Sequence, residues 1–133
     1  MGQTAPPPDE AAPPPPAART RLSQQELDLV LTRHEAFMES RPSGARATLK
    51  LMDLSFLDFS GRRLGGADLT GTRLVGVRMN GTDLRSASLF GADLRRASML
   101  RADFRQADLR GALFRGAMMA GCNLSHADLR NGL

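Results

Sequence analysis

From Ala87 to Gly111 the chain reads Ala-Ser-Leu-Phe-Gly, Ala-Asp-Leu-Arg-Arg, Ala-Ser-Met-Leu-Arg, Ala-Asp-Phe-Arg-Gln, Ala-Asp-Leu-Arg-Gly. The same register runs outward without an insertion, so that seventeen positions five apart, from Leu49 to Leu129, are all Leu, Met or Phe. A period of five fits neither a helix nor a flat strand, so the chain must turn a corner once per repeat. Fixed self-similarity of this kind marks a solenoid. The residue two before each apolar centre is Ala at ten of the seventeen repeats and mostly small elsewhere, as at Thr72, Val77, Thr82 and Cys122. One large and one small inward side chain per repeat suit a narrow interior. Every Asp between residues 47 and 131 stands immediately before a centre, which predicts that this position faces water.

Ala-Asp-Leu-Thr-Gly at 67–71, Ala-Asp-Leu-Arg-Arg at 92–96 and Ala-Asp-Leu-Arg-Gly at 107–111 resemble the pentapeptide-repeat proteins. The resemblance implies an all-β solenoid, a right-handed quadrilateral parallel β-helix with four repeats, one per face, in each coil. Sixteen repeats from Met52 to Asn131 would make about four coils, a rod of about 19 Å at ~4.8 Å per rung. Centres twenty apart would stack, Leu54 with Leu74, Leu94 and Phe114.

Composition sets further bounds. A chain of 133 residues has room for one domain, and a solenoid buries its apolar ladder coil on coil. The single cysteine, Cys122, holds a small inward position, which predicts a buried structural thiol and excludes both an intramolecular disulfide and a cysteine zinc site. No apolar run is long enough to span a membrane or to serve as a secretory leader, which predicts a cytoplasmic protein, bacterial if the resemblance is a guide. The chain shows no phosphate loop, no Cys/His cluster and no nucleophile–base pair. The reading is a non-catalytic protein with no cofactor and no metal.

Three segments are expected: a disordered Pro/Ala-rich tail at 1–21, a capping helix and connector at 22–46, and the β-helix at 47–133. Seven of the eight prolines fall in the first twenty residues, among Ala, Gly and acidic groups that supply no core. In Leu22-Ser23-Gln24-Gln25-Glu26-Leu27 a Ser cap, a Glu three residues on and flanking apolar residues combine a capping box with a hydrophobic staple. Leu27, Val30, Leu31, His34, Phe37 and Met38 then share one face of a helix over about 24–40, which Pro42 and Gly44 stop. Its expected task is to cover the open N-terminal end of the solenoid. His34 reads as a packed histidine and His126 as an outward one. Met52, Leu57 and Arg62 stand where later repeats carry Ala, and Arg62 predicts a distorted first coil, since its charge cannot enter an apolar tube.

Charge bears on function. Residues 47–131 hold thirteen Lys and Arg against eight Asp, a net of +5. The family's quinolone-resistance and topoisomerase-inhibitor branch resembles duplex DNA in shape and negative charge, and this surface has the opposite sign. A rigid protein–protein interaction scaffold is therefore preferred to a basic-surface binder of nucleic acid or anionic surfaces, and both to a topoisomerase-modulating DNA mimic. Arg95, Arg96, Arg101 and Arg115 form the candidate anion site. Leu100, Leu113, Met118 and Ala120 are apolar at outward places of the last coils and form the candidate interface, for an unidentified protein or for a homodimer through the C-terminal coil. No membrane insertion is expected.

Overall fold

A computed structural model describes residues 19–132; the expectations for residues 1–18 and for Leu133 lie outside the described residues. Within each repeat the carbonyl of the centre accepts a hydrogen bond from the N–H three residues on, as from Thr72 to Leu69 (3.2 Å) and from Ala87 to Leu84 (3.0 Å). The residue two after the centre is then the third member of a four-residue turn, a position that takes positive φ in type II turns. All seventeen such corners, nine of them Gly, have φ between +57° and +74°.

The turns fold the chain into four faces joined by parallel bridges between residues twenty apart. Face 1 carries the centres Leu49, Leu69, Leu89, Leu109 and Leu129, and face 2 Leu54, Leu74, Leu94 and Phe114. Face 3 carries Phe59, Met79, Met99 and Met119, and face 4 Leu64, Leu84, Phe104 and Leu124. On face 1, for example, Thr48, Asp68, Ser88, Asp108 and Asp128 form one continuous column. The expected β-structure takes the form of isolated single-residue bridges, with no longer strand among the described residues. A corner every five residues leaves too little straight backbone for more.

The centres from Leu54 to Leu109 are fully buried, and the small inward residues Ala67, Ala87, Ala92, Ala97 and Ala107 close the gaps between them. Burying each Leu stabilises the rod by about 2 kcal/mol. The inward threonines are tolerated because their hydroxyls have carbonyl partners: Thr72 donates to Leu69 (2.7 Å) and Thr82 to Phe59 (2.8 Å). The aspartates before the centres, expected in open water, are half-exposed, apart from Asp58, which is exposed. Each accepts the N–H two residues on, as Asp108 Oδ1 does from Arg110 (3.1 Å), which folds the carboxylate against its own repeat.

Helix α1 spans Gln24–Met38, with the Ser23/Glu26 capping box formed in both directions. It ends as a Schellman motif: Ser40 has φ +57°, its N–H bonds Phe37 O (3.0 Å), and Arg41 N–H bonds Ala36 O (2.9 Å). Gly44 then lets the returning chain lie against the backbone of Ala36 and Phe37, where a Cβ would collide. Leu27, Leu31 and His34 are fully buried and Val30 packs on the core, as their spacing predicts. Phe37 and Met38 are not: they remain 47% and 40% exposed, because α1 reaches the rim of the rod before its last turn.

The first coil is closed by hydrogen bonds as well as by apolar contact. On face 2 the segment before α1 adds a backbone rung: Arg21 bridges Asp53, and Asp53 N–H bonds Thr20 O (2.8 Å). Residues 19–21 thus belong to the solenoid and not to the expected tail. On face 3 the Gln24 amide takes both backbone groups of Asp58, each at 2.8 Å. On face 4 the Glu35 carboxylate accepts from Arg63 N–H (3.1 Å), and on face 1 His34 Nδ1 accepts from Ala47 N–H (2.9 Å). With Nδ1 accepting, the proton of the neutral ring is on Nε2, which donates to Gly65 O (2.7 Å).

Arg62 corrects the expectation of a distorted coil. Its backbone keeps the common turn, with N–H to Phe59 O at 3.1 Å. The side chain leaves the end of the tube and meets Glu35 (2.8 Å), Thr32 (3.0 Å) and Asp28 (3.6 Å) on α1. Met52 and Leu57 can be large for the same reason, since they lie in the end coil under α1 and pack on its core.

Candidate functional site

Most of the surface charge is locked in place. Where an Asp precedes the centre and an Arg follows it, the guanidinium folds back onto the carboxylate at 2.6 to 2.8 Å, as in Asp83–Arg85, Asp93–Arg95, Asp103–Arg105, Asp108–Arg110 and Asp128–Arg130. The hydrogen bond from the arginine side chain holds each of these carboxyls below the usual aspartate range, Asp128 at about 2. Arg85 and Arg110 also reach Asp103 and Asp128 of the next coil at 3.8 and 3.9 Å. At Arg85 and Arg110 the charge is thus paired both within the repeat and between coils.

Face 2 departs from this pattern. Its columns bring Arg73, Val75, Arg95, Arg96, Arg115 and Gly116 around a basin of about 590 Å³. Arg95 is clasped by Asp93, whereas Arg73, Arg96 and Arg115 have no carboxylate within 4 Å among the described residues. Three of the four arginines expected at an anion site therefore meet here. Arg101 does not: it sits on the next corner, its stem lying over Gly121. Arg73, missed in the sequence, stands before its centre in the column Asp53, Arg73, Asp93, Leu113, and the basin brings it together with Arg95, which follows its own centre.

The expected interface residues scatter. Leu100 and Leu113 are half-buried, and only Met118, at 54%, is strongly exposed among the larger three. The continuous apolar surface at this end is built instead by the last centres: Phe114, Met119, Leu124 and Leu129 line, with Gly132, a hollow of about 290 Å³. These are core residues by pattern, and nothing in a linear reading distinguishes them from the buried centres below. The amides of Met119, Leu124 and Leu129 have no hydrogen-bond partner among the described residues. Cys122 lies in the same coil, half-buried, with Sγ against Met99 O (2.8 Å), and burial pushes its thiol pKa up. Among the described residues no group of His, Cys, Asp and Glu is arranged to hold a metal ion.

The pentapeptide-repeat family model, in a form of eight copies, matches residues 53–89, 63–99 and 97–132. The chain belongs to the pentapeptide-repeat family. Members form right-handed quadrilateral β-helices, and the four columns here match the four-sided form. The crystal structure of the pentapeptide repeat protein Rfr23 from the cyanobacterium Cyanothece 51142 is similar at 32% identity and TM-score 0.63, over 64% of this chain and 58% of that one. This chain therefore spans less than two thirds of that relative. A pentapeptide repeat protein from Nostoc PCC 7120 is 28% identical over 74% of this chain and 73% of its own, with TM-score 0.46. QnrB1, described as a plasmid-mediated fluoroquinolone resistance protein, is 26% identical over 60% of this chain and 47% of its own, with TM-score 0.35. The comparison with curated proteins found no match.

Proposed function

We propose that this pentapeptide-repeat protein is a rigid, non-catalytic protein-interaction scaffold. In this reading a tail at 1–21 shortens to end before Arg19, α1 and its connector at 22–46 seal one end, and about four coils over 47–133 form the rod. The observation that carries the reading is the contrast between locally neutralised faces and the exposed apolar hollow of Phe114, Met119, Leu124 and Leu129. A contiguous apolar surface of this kind suits a protein partner. A second copy of the chain, docking end to end, would cover it and join the open edges, which gives a homodimer through the C-terminal coil. A location in the bacterial cytoplasm goes with this reading; no helix among the described residues is long and apolar enough to cross a membrane.

Light scattering at tens of micromolar tests it: a dimer is expected, and Leu129→Asp with Met118→Arg should convert it to monomer. A monomer for the unmutated protein, or a dimer indifferent to the double substitution, would reject it. The topoisomerase-mimic alternative stays behind because the solenoid carries a net of +5, and inhibition of gyrase supercoiling would revive it.

A further inference from the structure

The strongest departure from the repeat pattern outside the C-terminal end is the basin on face 2, and its chemistry is specific. Elsewhere an arginine after the centre is neutralised by the Asp two residues before it. At Arg115 that position is Leu113, so the guanidinium has no local clasp. Arg73 stands before its centre and Arg96 on a corner, positions from which the common clasp cannot form. Three guanidinium groups with no carboxylate within 4 Å among the described residues, Arg73 standing between Asp53 and Asp93 in its column, therefore converge with the clasped Arg95 on one concavity.

The dimensions narrow the ligand. The four arginines occupy three successive rungs, those of Leu74, Leu94 and Phe114, and so span about 10 Å along the rod at ~4.8 Å per rung. That is too long for one small anion and short for a nucleic-acid strand. A basin of about 590 Å³ falls within the range of small-molecule sites. Arginine is the side chain suited to bidentate contact with phosphoryl oxygens. The stem of Arg96 runs along the rod against Gly116, which lines the basin beside it. Phe56, 71% exposed, is not among the lining residues, but its ring lies against Gly76, next to the lining Val75 and one rung before Arg96 in the same corner column.

We propose that the face 2 basin binds an oligophosphate, two or more linked phosphoryl groups, either as the free chain or as the tail of a nucleotide. Arg73, Arg96 and Arg115 contact the phosphoryl oxygens, and Arg95 shares its guanidinium between Asp93 and the ligand. The proposal is independent of the dimer, since the basin lies on a side face.

Calorimetric titration of the full chain with sodium tripolyphosphate and, separately, with ATP tests it. Both should bind, and Arg96→Gln with Arg115→Gln should weaken both by ~10-fold or more, since charge-assisted contacts are lost. Arg85→Gln with Arg105→Gln removes the same charge from face 4 and should change affinity by less than about twofold if the site, not net charge, binds. Leu113→Asp removes no arginine but supplies the missing clasp, and should weaken binding while the melting temperature is kept. The two sources separate at Phe56: a nucleotide ligand predicts that ATP binds tighter than tripolyphosphate and that Phe56→Ala erases the difference, whereas equal binding identifies the bare chain. Failure of both probes to bind, equal losses from the two double variants, or a single-stranded DNA that binds while tripolyphosphate does not would overturn the proposal.

Discussion

The two ends of the rod are built from the same repeat and finished differently. At the first coil every face receives a partner of another kind: a backbone rung from Thr20, the amide of Gln24, the carboxylate of Glu35 and the imidazole of His34. Two leucines of α1 cover the apolar centres beneath. At the last coil the described residues present their centres and several amides to solvent. Since a buried backbone group without a partner costs about 1–3 kcal/mol, the sealed end must supply them all, while the amides at the last coil are open to water or to whatever docks on them. One repeat thus serves both as interior and as surface, and only what lies on it decides which.

The comparison is broken most strongly by one charge placed at both ends. Leu31→Asp, on the sealed side, buries a carboxylate without a partner and should lower stability by about 3–5 kcal/mol. Leu129→Asp, at a centre that is 43% exposed, should cost less than about 1 kcal/mol in the monomer. Denaturant unfolding of both variants measures the pair, and equal losses would show that α1 does not seal the rod.

Next in size is His34→Ala, which leaves Ala47 N–H and Gly65 O unpaired and opens a cavity; a loss of about 3 kcal/mol is expected in the same assay. Gln24→Ala removes a more exposed pair of bonds to Asp58 and should cost about 1 kcal/mol. Hydrogen exchange should then show faster exchange at Asp58 than at Asp53, whose partner is backbone.

The smallest effect is that of acid. The aspartates clasped by arginine are held below the usual range in the folded chain, so the unfolded chain takes up protons first as the pH falls. The stability they contribute is present above an ordinary aspartate pKa of 3.8 and is lost as the pH drops toward about 2. The melting temperature should fall through that window, and Asp128→Asn should flatten the curve only slightly because this pair is exposed.

The register of centres, the four-sided stacking and the start of α1 are legible in the sequence because each depends on residues within one repeat or one turn. The sealing contacts are not. Gln24 pairs with Asp58 and Glu35 with Arg63 across distances in sequence that no periodicity marks, and Arg62 looks misplaced until α1 is set above it. The candidate sites divide in the same way. Arg95 and Arg115 follow from simple stacking, whereas Arg73 needs the column before its own centre. The apolar end escaped notice because Leu124 and Leu129 keep the core pattern and lose only their cover.

The corners impose a rule of their own. A side chain on left-handed backbone here extends along the rod, so that Leu51 lies over Gly71, Phe56 over Gly76, Arg96 over Gly116 and Arg101 over Gly121. At Gly76 a Cβ would come within 2.5 Å of the Phe56 ring. On three faces, then, a bulky corner is followed twenty positions later by glycine; on face 4, Ser86, Gln106 and His126 succeed one another as polar neighbours instead. Substitutions at these corners are coupled at a reach of one full coil. A variant library that fixes each corner separately will therefore misjudge which glycines are free to change.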